Sequence, residues 1–227
     1  MEWTIGWWQV SVQRVYPTNA ELAHIYNQAS VWWHQHLSLL GYRAAYRQLW
    51  RSLQKTDSFS FSKGIPTICD CGIGTAAFSL AFAGTISPQA HIVGVDLSFE
   101  MLHRAEQQLT QAQIHHHLCQ SDVRTLPFAD DFFDAVISAH MLEHLSNPLE
   151  GLREMYRVLR PGAPLMLVVT RRGLFGSLIQ GYWGNHCFSQ ETLTNLMTDA
   201  GFSNLKFIPF PFGLARFTSF TCTGFRA

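Results

Sequence analysis

Three aspartates, two glycines and a histidine carry the chemistry open to this chain of 227 residues. The stretch TICDCGIGTAAFSLAF, residues 67–82, is an apolar run that stops on Asp70, bends at Gly72 and Gly74, and resumes as a small-residue helix. Glycine lets backbone turn and approach a ligand with no Cβ in the way. Two more runs close on acids, HIVGVD on Asp96 and HHHLCQSD on Asp122, and FDAVISAH closes on Ala139 and His140. In an open parallel sheet the ligand lies outside the carboxyl ends of the strands, so these terminal residues line one crevice. A single aspartate in such a place is commonly a helix cap. Three at successive strand ends describe a ligand.

Its charge follows from Asp70. GIGTAA satisfies the dinucleotide form G-x-G-x-x-A through Gly72, Gly74 and Ala77, which keeps an NAD(P)-dependent oxidoreductase as an alternative. A diphosphate on that turn would face a carboxylate two residues earlier, at about 4 kcal/mol for 4 Å at an effective dielectric of 20. A sulfonium nucleoside with an amino-acid tail reverses the sign, because its cationic sulfur and ammonium favour Asp70. Asp96, 22 residues after Gly74, stands where an acid accepts hydrogen bonds from both ribose hydroxyls. Asp122 and the Val123 amide can accept from and donate to an adenine edge.

The elements that must position these groups show in the rhythm of the chain. From Pro66 onward, short apolar runs alternate with helical stretches, the βαβ pattern of a parallel sheet. TICD leads into a helix near 76–83, HIVGVD into 98–112, and FDAVISAH into a helical stretch ending near Leu145. PLMLVVT is the fifth strand, preceded by the helix PLEGLREMYRVLR. Ser189 is placed to cap QETLTNLMTDAG, and the tail reads as two strands making an antiparallel pair at one edge. Residues 171–187, with four glycines and three aromatics, follow no period and read as an inserted loop. The first sixty residues hold six of the seven tryptophans and read as helices, with Thr18 and Glu21 at capping-box spacing and Tyr42, Tyr46, Leu49, Trp50 and Leu53 on one face. The expected division is an aromatic-rich helical extension over 1–62, serving as lid, and a core over 63–227.

Composition bounds the partner. Sixteen basic and sixteen acidic residues leave no net field for nucleic acid or an acidic membrane surface, so a small molecule is expected. Five cysteines form no CxxC pair and read as reduced core thiols. No run reaches the roughly 18 apolar residues of a membrane span, and a cytoplasmic protein is inferred.

The segments DCGIGTA, GVDLSFEML, SDVRTLPFADDFFDAVIS, MLEHL and REMYRVLRPGAPLMLVVT, taken in order over Pro66 to Thr170, resemble the successive motifs of class I S-adenosylmethionine-dependent methyltransferases. The similarity is greatest to the branch with the ubiquinone, menaquinone and natural-product methyltransferases. It implies a Rossmann-like, doubly wound, mostly parallel seven-stranded α/β sheet with an antiparallel C-terminal hairpin, and S-adenosylmethionine as cofactor. By the same resemblance Asp70, Cys71, Gly72 and Gly74 surround the methionine part, Asp96 holds the ribose, Leu97 and Met101 sandwich the adenine, and Asp122 and Val123 meet its edge. Ala139 and His140 line the crevice near the methyl group, and Tyr26 and Trp33 fall where relatives cover the cofactor. The family's third glycine is Ala76 here.

Methyl transfer from a sulfonium is an in-line displacement that destroys charge, so alignment and exclusion of water matter more than strong acid or base. An oxygen acceptor may still need a proton removed, and His140 and His144 are the candidates. HMLEH also spells the inverted zinc motif H-x-x-E-H, but it follows a sheet strand with no evident third ligand, and no metal is expected. Arg171, Arg172 and Trp183, in the inserted loop, are the substrate-binding candidates, and the aromatics there point to an aromatic or apolar acceptor. A non-catalytic relative that keeps the nucleotide crevice is a second alternative.

Overall fold

The computed structural model describes residues 2–5, 8–11, 18, 21, 24, 41–54, 59, 61, 64–173, 186–210, 213 and 215–227. Strands β1 (Glu2–Ile5) and β2 (Trp8–Ser11) pair antiparallel with Ile5 opposite Trp8, so the chain begins as strands and not, as expected, as helix. Downstream, Thr18 and Glu21 do form the anticipated capping box: the Thr18 amide donates to Glu21 Oε2 at 2.8 Å and the Glu21 amide to Thr18 Oγ1 at 3.3 Å. The aromatic stripe lies on α1 (Tyr42–Gln54), whose buried face is Ala45, Tyr46, Leu49, Trp50 and Leu53.

The core then runs β3 (Thr67–Cys71), α2 (Ala77–Ala83), β4 (His91–Asp96), α3 (Phe99–Gln111), β5 (His116–Gln120), β6 (Ala135–Ala139), α4 (Pro148–Val158), β7 (Pro164–Thr170), α5 (Gln190–Asp199), β8 (Phe202–Pro209), α6 (Ala215–Thr218) and β9 (Ser219–Arg226). Strand order is β5-β4-β3-β6-β7-β9-β8, with β9 antiparallel to both neighbours and the first five strands parallel. Right-handed βαβ crossovers wind outward in both directions from β3, so the order reverses between β3 and β6, and a ligand crevice opens at that point. β7 is buried along its whole length, which is why PLMLVVT is continuously apolar and not alternating.

Helices α1, α2 and α3 cover one face of the sheet, and α4 and α5 the other. Their starts are set by local chemistry: Ser98 Oγ accepts from the Met101 amide, Ser189 Oγ from the Thr192 amide, and Pro148 opens α4. No described helix is long and apolar enough to cross a membrane. On the first face Trp50 is fully buried, with the rings of Phe59, Phe78 and Phe82 at 5.2, 5.0 and 5.0 Å. Trp50→Ala should cost about 3–5 kcal/mol and lower the melting temperature by roughly 10 °C. Trp50→Phe, which keeps a ring and removes an indole N–H that has no partner among the described residues, should cost less than half of that in a urea titration.

Candidate active site

The glycine turn is shaped by what lies across from it. Gly72 has φ +74°, and a Cβ there would stand 2.3 Å from Met141 Cγ and 2.5 Å from Met141 Cβ, so the end of β3 approaches the segment after β6 too closely for any side chain. The amides of Gly72 and Ile73 both donate to the Val95 carbonyl, at 2.8 and 3.0 Å, which ties the turn to β4. Gly74, at φ +53°, has open space where a Cβ would be, so here glycine answers to conformation alone. Ala76 takes the same left-handed conformation at φ 61° and is buried; its methyl is accommodated at a backbone cost of about 1 kcal/mol.

Asp70 is 1% exposed. Ser79 Oγ donates to its Oδ2 at 2.5 Å, while Oδ1 has no partner among the described residues. Burial pushes this carboxyl up to about 7, against the Ser79 bond and with a contribution from Asp96. Asp96 is held differently: the Gly74 amide donates to Oδ2 and the Ser98 amide to Oδ1, both at 2.9 Å. Burial raises its pKa and the amides of Ser98, Gly74 and Leu97 oppose the rise. One acceptor direction on each oxygen stays available for a hydroxyl.

Two cavities meet at this turn. The larger, about 620 Å³, is lined by Gly72, Gly74, Asp96, Leu97 and Met101 on one side and by Val123, Ala139, His140 and His144 on the other. The smaller, about 380 Å³, contains Asp70 and Tyr46 and shares Gly72, Gly74, Ala139 and His140 with the first. Most residues singled out in the sequence are thus brought to one crevice. Four stand apart from it. Cys71 turns into the core on the opposite face of the sheet from Asp70, as strand alternation requires, and lines neither cavity. The Asp122 carboxylate is gripped by Arg124, with Nη2 at 2.7 Å, Nε at 3.1 Å and the amide at 2.9 Å, so Ser121 and Val123 form the wall at this point. Arg171 and Arg172 are exposed and line neither cavity, and the Arg171 guanidinium sits 5.8 Å above the Phe220 ring. Tyr26, Trp33 and Trp183 lie outside the described residues.

Sequence reasoning missed what surrounds His140. After β6 the chain makes a short 3₁₀ turn, Leu142–His144, in place of the anticipated helical stretch. His140 itself has φ 57°, and its amide donates to the Val168 carbonyl at 2.8 Å. Its Nδ1 lies 3.1 Å from Glu143 Oε1 and 3.3 Å from Thr170 Oγ1, its Nε2 is 3.5 Å from Ser219 Oγ, and Tyr42 meets it edge-on at 5.4 Å. Glu143 is 1% exposed. Burial raises its carboxyl, but the bond to His140 and the nearby His140 and His144 imidazoles outweigh burial and hold it below the ordinary value. Tyr46 is held well above the ordinary phenol range by burial, with Tyr42, Glu143 and Asp70 adding to the shift, and stays neutral. Among the described residues no three His, Cys, Asp or Glu side chains are grouped as metal ligands.

Gly72→Ala should cost about 2–4 kcal/mol from the left-handed backbone and the overlap with Met141, and distort the crevice; Gly74→Ala, with strain but open space, should cost about 1 kcal/mol. Urea denaturation separates the two. Asp70 makes a pH prediction for the ligand-free protein. Its folded pKa, about 7, lies above the unfolded value of 3.8, so the folded state binds the extra proton and stability falls as pH rises from about 4 to 7. Asp70→Asn should match the native protein near pH 4 and exceed it at pH 8 by up to about 4 kcal/mol, at roughly 1.4 kcal/mol per pKa unit.

Residues 69–167 match the family model described as a methyltransferase domain, within the span of the resemblance read from sequence. A demethylmenaquinone methyltransferase of Lactiplantibacillus plantarum is 30% identical over 177 residues, which is 65% of this chain and 75% of the relative. Among solved structures, an S-adenosylmethionine-dependent methyltransferase of Thermotoga maritima, described as a possible histamine N-methyltransferase, superposes with a TM-score of 0.68 at 19% identity, over 91% of this chain and 100% of the other. Phosphoethanolamine N-methyltransferase 2 of Haemonchus contortus, in complex with S-adenosyl-L-methionine, gives 0.59 at 15% identity, over 75% of this chain and 51% of the other. None of these favours a nicotinamide oxidoreductase, and with Asp70 buried beside the glycine turn they make this chain a member of the class I S-adenosylmethionine-dependent methyltransferases.

Proposed function

We propose that this methyltransferase acts on the ring, or a ring substituent, of a small aromatic or apolar acceptor of the quinone class, with His140 at the reacting centre. The observation that carries the reading is the position of His140 in the wall of both cavities, where the compartment of Asp70 meets that of Asp96. The residues fit the cofactor. The unpartnered buried oxygen of Asp70 is an acceptor awaiting a donor, and an ammonium supplies one with the right charge. Asp96 would hold the ribose through its remaining acceptor directions, and Leu97, Met101 and Val123 would enclose the adenine.

Bound there, S-adenosylmethionine supplies an electrophilic methyl group on a cationic sulfur. The chain contributes the rest. Leu97, Met101, Val123, Ala139 and Met141 make a largely apolar wall that excludes water, which favours a displacement in which charge disappears. Tyr42 fixes the His140 ring from the side, and His140, with His144 as the second candidate, takes a proton where the acceptor carries one. Arg171 and Arg172, exposed outside the two cavities, and Trp183 are the proposed contacts to the part of the acceptor that projects beyond them, and Tyr26 and Trp33 the proposed cover of the cofactor. The apolar acceptor is supported by Ala139 and Met141, the part of this wall beside His140, and by the name of the relative from Lactiplantibacillus plantarum.

S-adenosylhomocysteine at a hundredfold over its Kd should stabilise the protein by about 2.7 kcal/mol and raise the melting temperature by several degrees, while NAD and NADP leave it unchanged. Asp96→Ala should abolish most of that shift. Labelled methyl from S-adenosylmethionine should then pass to a small aromatic metabolite of a cell extract. A protein that binds the cofactor and labels nothing would be the non-catalytic relative.

A further inference from the structure

The turn after β6 holds a buried charge that the function above does not use. Glu143 Oε1 accepts from the Thr170 amide at 2.6 Å and lies 3.1 Å from His140 Nδ1, while Oε2 has no partner among the described residues. Anchoring the turn to β7 needs only the Thr170 bond, which a neutral amide side chain would accept equally well. A carboxylate with one oxygen left bare costs several kcal/mol to bury unless a cation stands beside it. The group placed to become that cation is His140. Its freedom is removed at every point: the backbone sits in the left-handed region, tied to Val168, and Tyr42 packs against the ring.

We propose that Glu143 is a positioning residue that keeps the His140 proton on Nδ1, so that Nε2 receives a proton from the acceptor, and that the acceptor is therefore an aromatic compound with an ionisable hydroxyl, a phenol or hydroquinone. This rests on the methyltransferase reading and narrows its acceptor. Nε2 meets the Ser219 hydroxyl at a long 3.5 Å, and the imidazole is 13% exposed in the wall shared by the two cavities. In the step, the acceptor O–H bond breaks and its proton goes to Nε2. The electron pair left on the acceptor oxygen, or delocalised to a ring carbon, forms the bond to the methyl carbon. The S–CH₃ bond breaks with its pair going to sulfur, which leaves as a neutral thioether. Imidazolium and carboxylate then face each other, and the proton passes to water when product leaves. The other titratable groups around the pair are Tyr42 and Tyr46 from α1, Asp70 from β3 and His144 from the same turn; the two phenols and Asp70 supply no second cation.

Two measurements test this. Long-range ¹⁵N–¹H NMR of histidine-labelled protein saturated with S-adenosylhomocysteine should find the His140 proton on Nδ1, and that bias should be lost in Glu143→Ala. This reading needs no turnover, and a native His140 with its proton on Nε2 would overturn the proposal. The second compares 1-naphthol, 1,4-naphthohydroquinone and 4-nitro-1-naphthol, the last already ionised at pH 8. Glu143→Gln should lower kcat on the first two by about 10²–10³ and on the nitro compound by less than about tenfold, with KM for S-adenosylmethionine within about threefold. Equal loss on all three would mean a merely structural Glu143. Should the native protein bind S-adenosylhomocysteine yet methylate none of them, the acceptor class is wrong and the methyltransferase reading stands; absence of that binding would remove both.

Discussion

The contact on which the site depends is the approach of Gly72 to Met141. At that point the two strands flanking the reversal of sheet order, β3 and β6, leave the sheet side by side, and no side chain fits between them. The contact explains why the acid of β3 and the histidine that follows β6, 70 residues apart, end in the wall of one cavity. Parallel connection forces both carboxyl ends to the same side, and the missing Cβ then sets the distance. The amides of Gly72 and Ile73 hold the turn from the other side through Val95, so the turn is fixed between β4 and the segment after β6.

Around that contact the protein buries Asp70 and Glu143, half-buries Asp96, and treats each differently. Asp96 is surrounded by backbone amides, which makes it a fixed acceptor with little to gain from any one ligand group. Asp70 and Glu143 each keep one bare oxygen, yet their pKa values move in opposite directions, up for Asp70 and down for Glu143. The difference is the cation. Glu143 has imidazoles beside it, whereas Asp70 has a hydroxyl and another acid. A buried acid with no cation beside it among the described residues is a cost that a positively charged ligand removes, and stability given up at a site in this way is regained on binding. Separation of the two pKa values also assigns the roles: Asp70 is poised to respond to what binds, Glu143 to hold what is already there.

Much of this was legible in the sequence because strand ends and chemistry coincide. HIVGVD and PLMLVVT are β4 and β7 residue for residue, Ser189 caps as its spacing implies, Asp70 and Asp96 fall at the ends of β3 and β4, and Gly72 and Gly74 fall on the turn after β3. What escaped was decided by tertiary placement or by finer local rules. Tyr42 and Tyr46 sit on the same periodic stripe as Trp50, and no period tells which end of a stripe overhangs a crevice. Asp122 was legible in principle, since an arginine two residues on invites a clamp, but the spacing of acids along the strand ends dominated the reading. Cys71 is a case where parity should have prevailed: neighbours on a strand point to opposite faces, and Asp70 already claims the one toward α2. Glu143 read as one residue of a helical H-x-x-E-H motif; its function appears only when the turn is 3₁₀ and Thr170 fixes its carboxylate.

Helix α1 joins folding and site through a single periodic face. One stretch of it, Leu49 to Leu53, is plain core against Phe78 and Phe82, while one or two turns earlier Tyr46 lines the Asp70 cavity and Tyr42 packs on His140 and meets Thr218 and Ser219 at 3.0 and 3.2 Å. The helix cannot shift to improve one end without disturbing the other, because close-packed interiors transmit displacement. The tilt of α1 against α2 is therefore a determinant of where the His140 ring stands, although no residue of α1 belongs to the motifs that mark the family. A chain with the same glycine turn and acids but a different helix here would keep the cofactor and lose the geometry at the acceptor. Diversity of acceptors on one cofactor scaffold is what that division of labour permits.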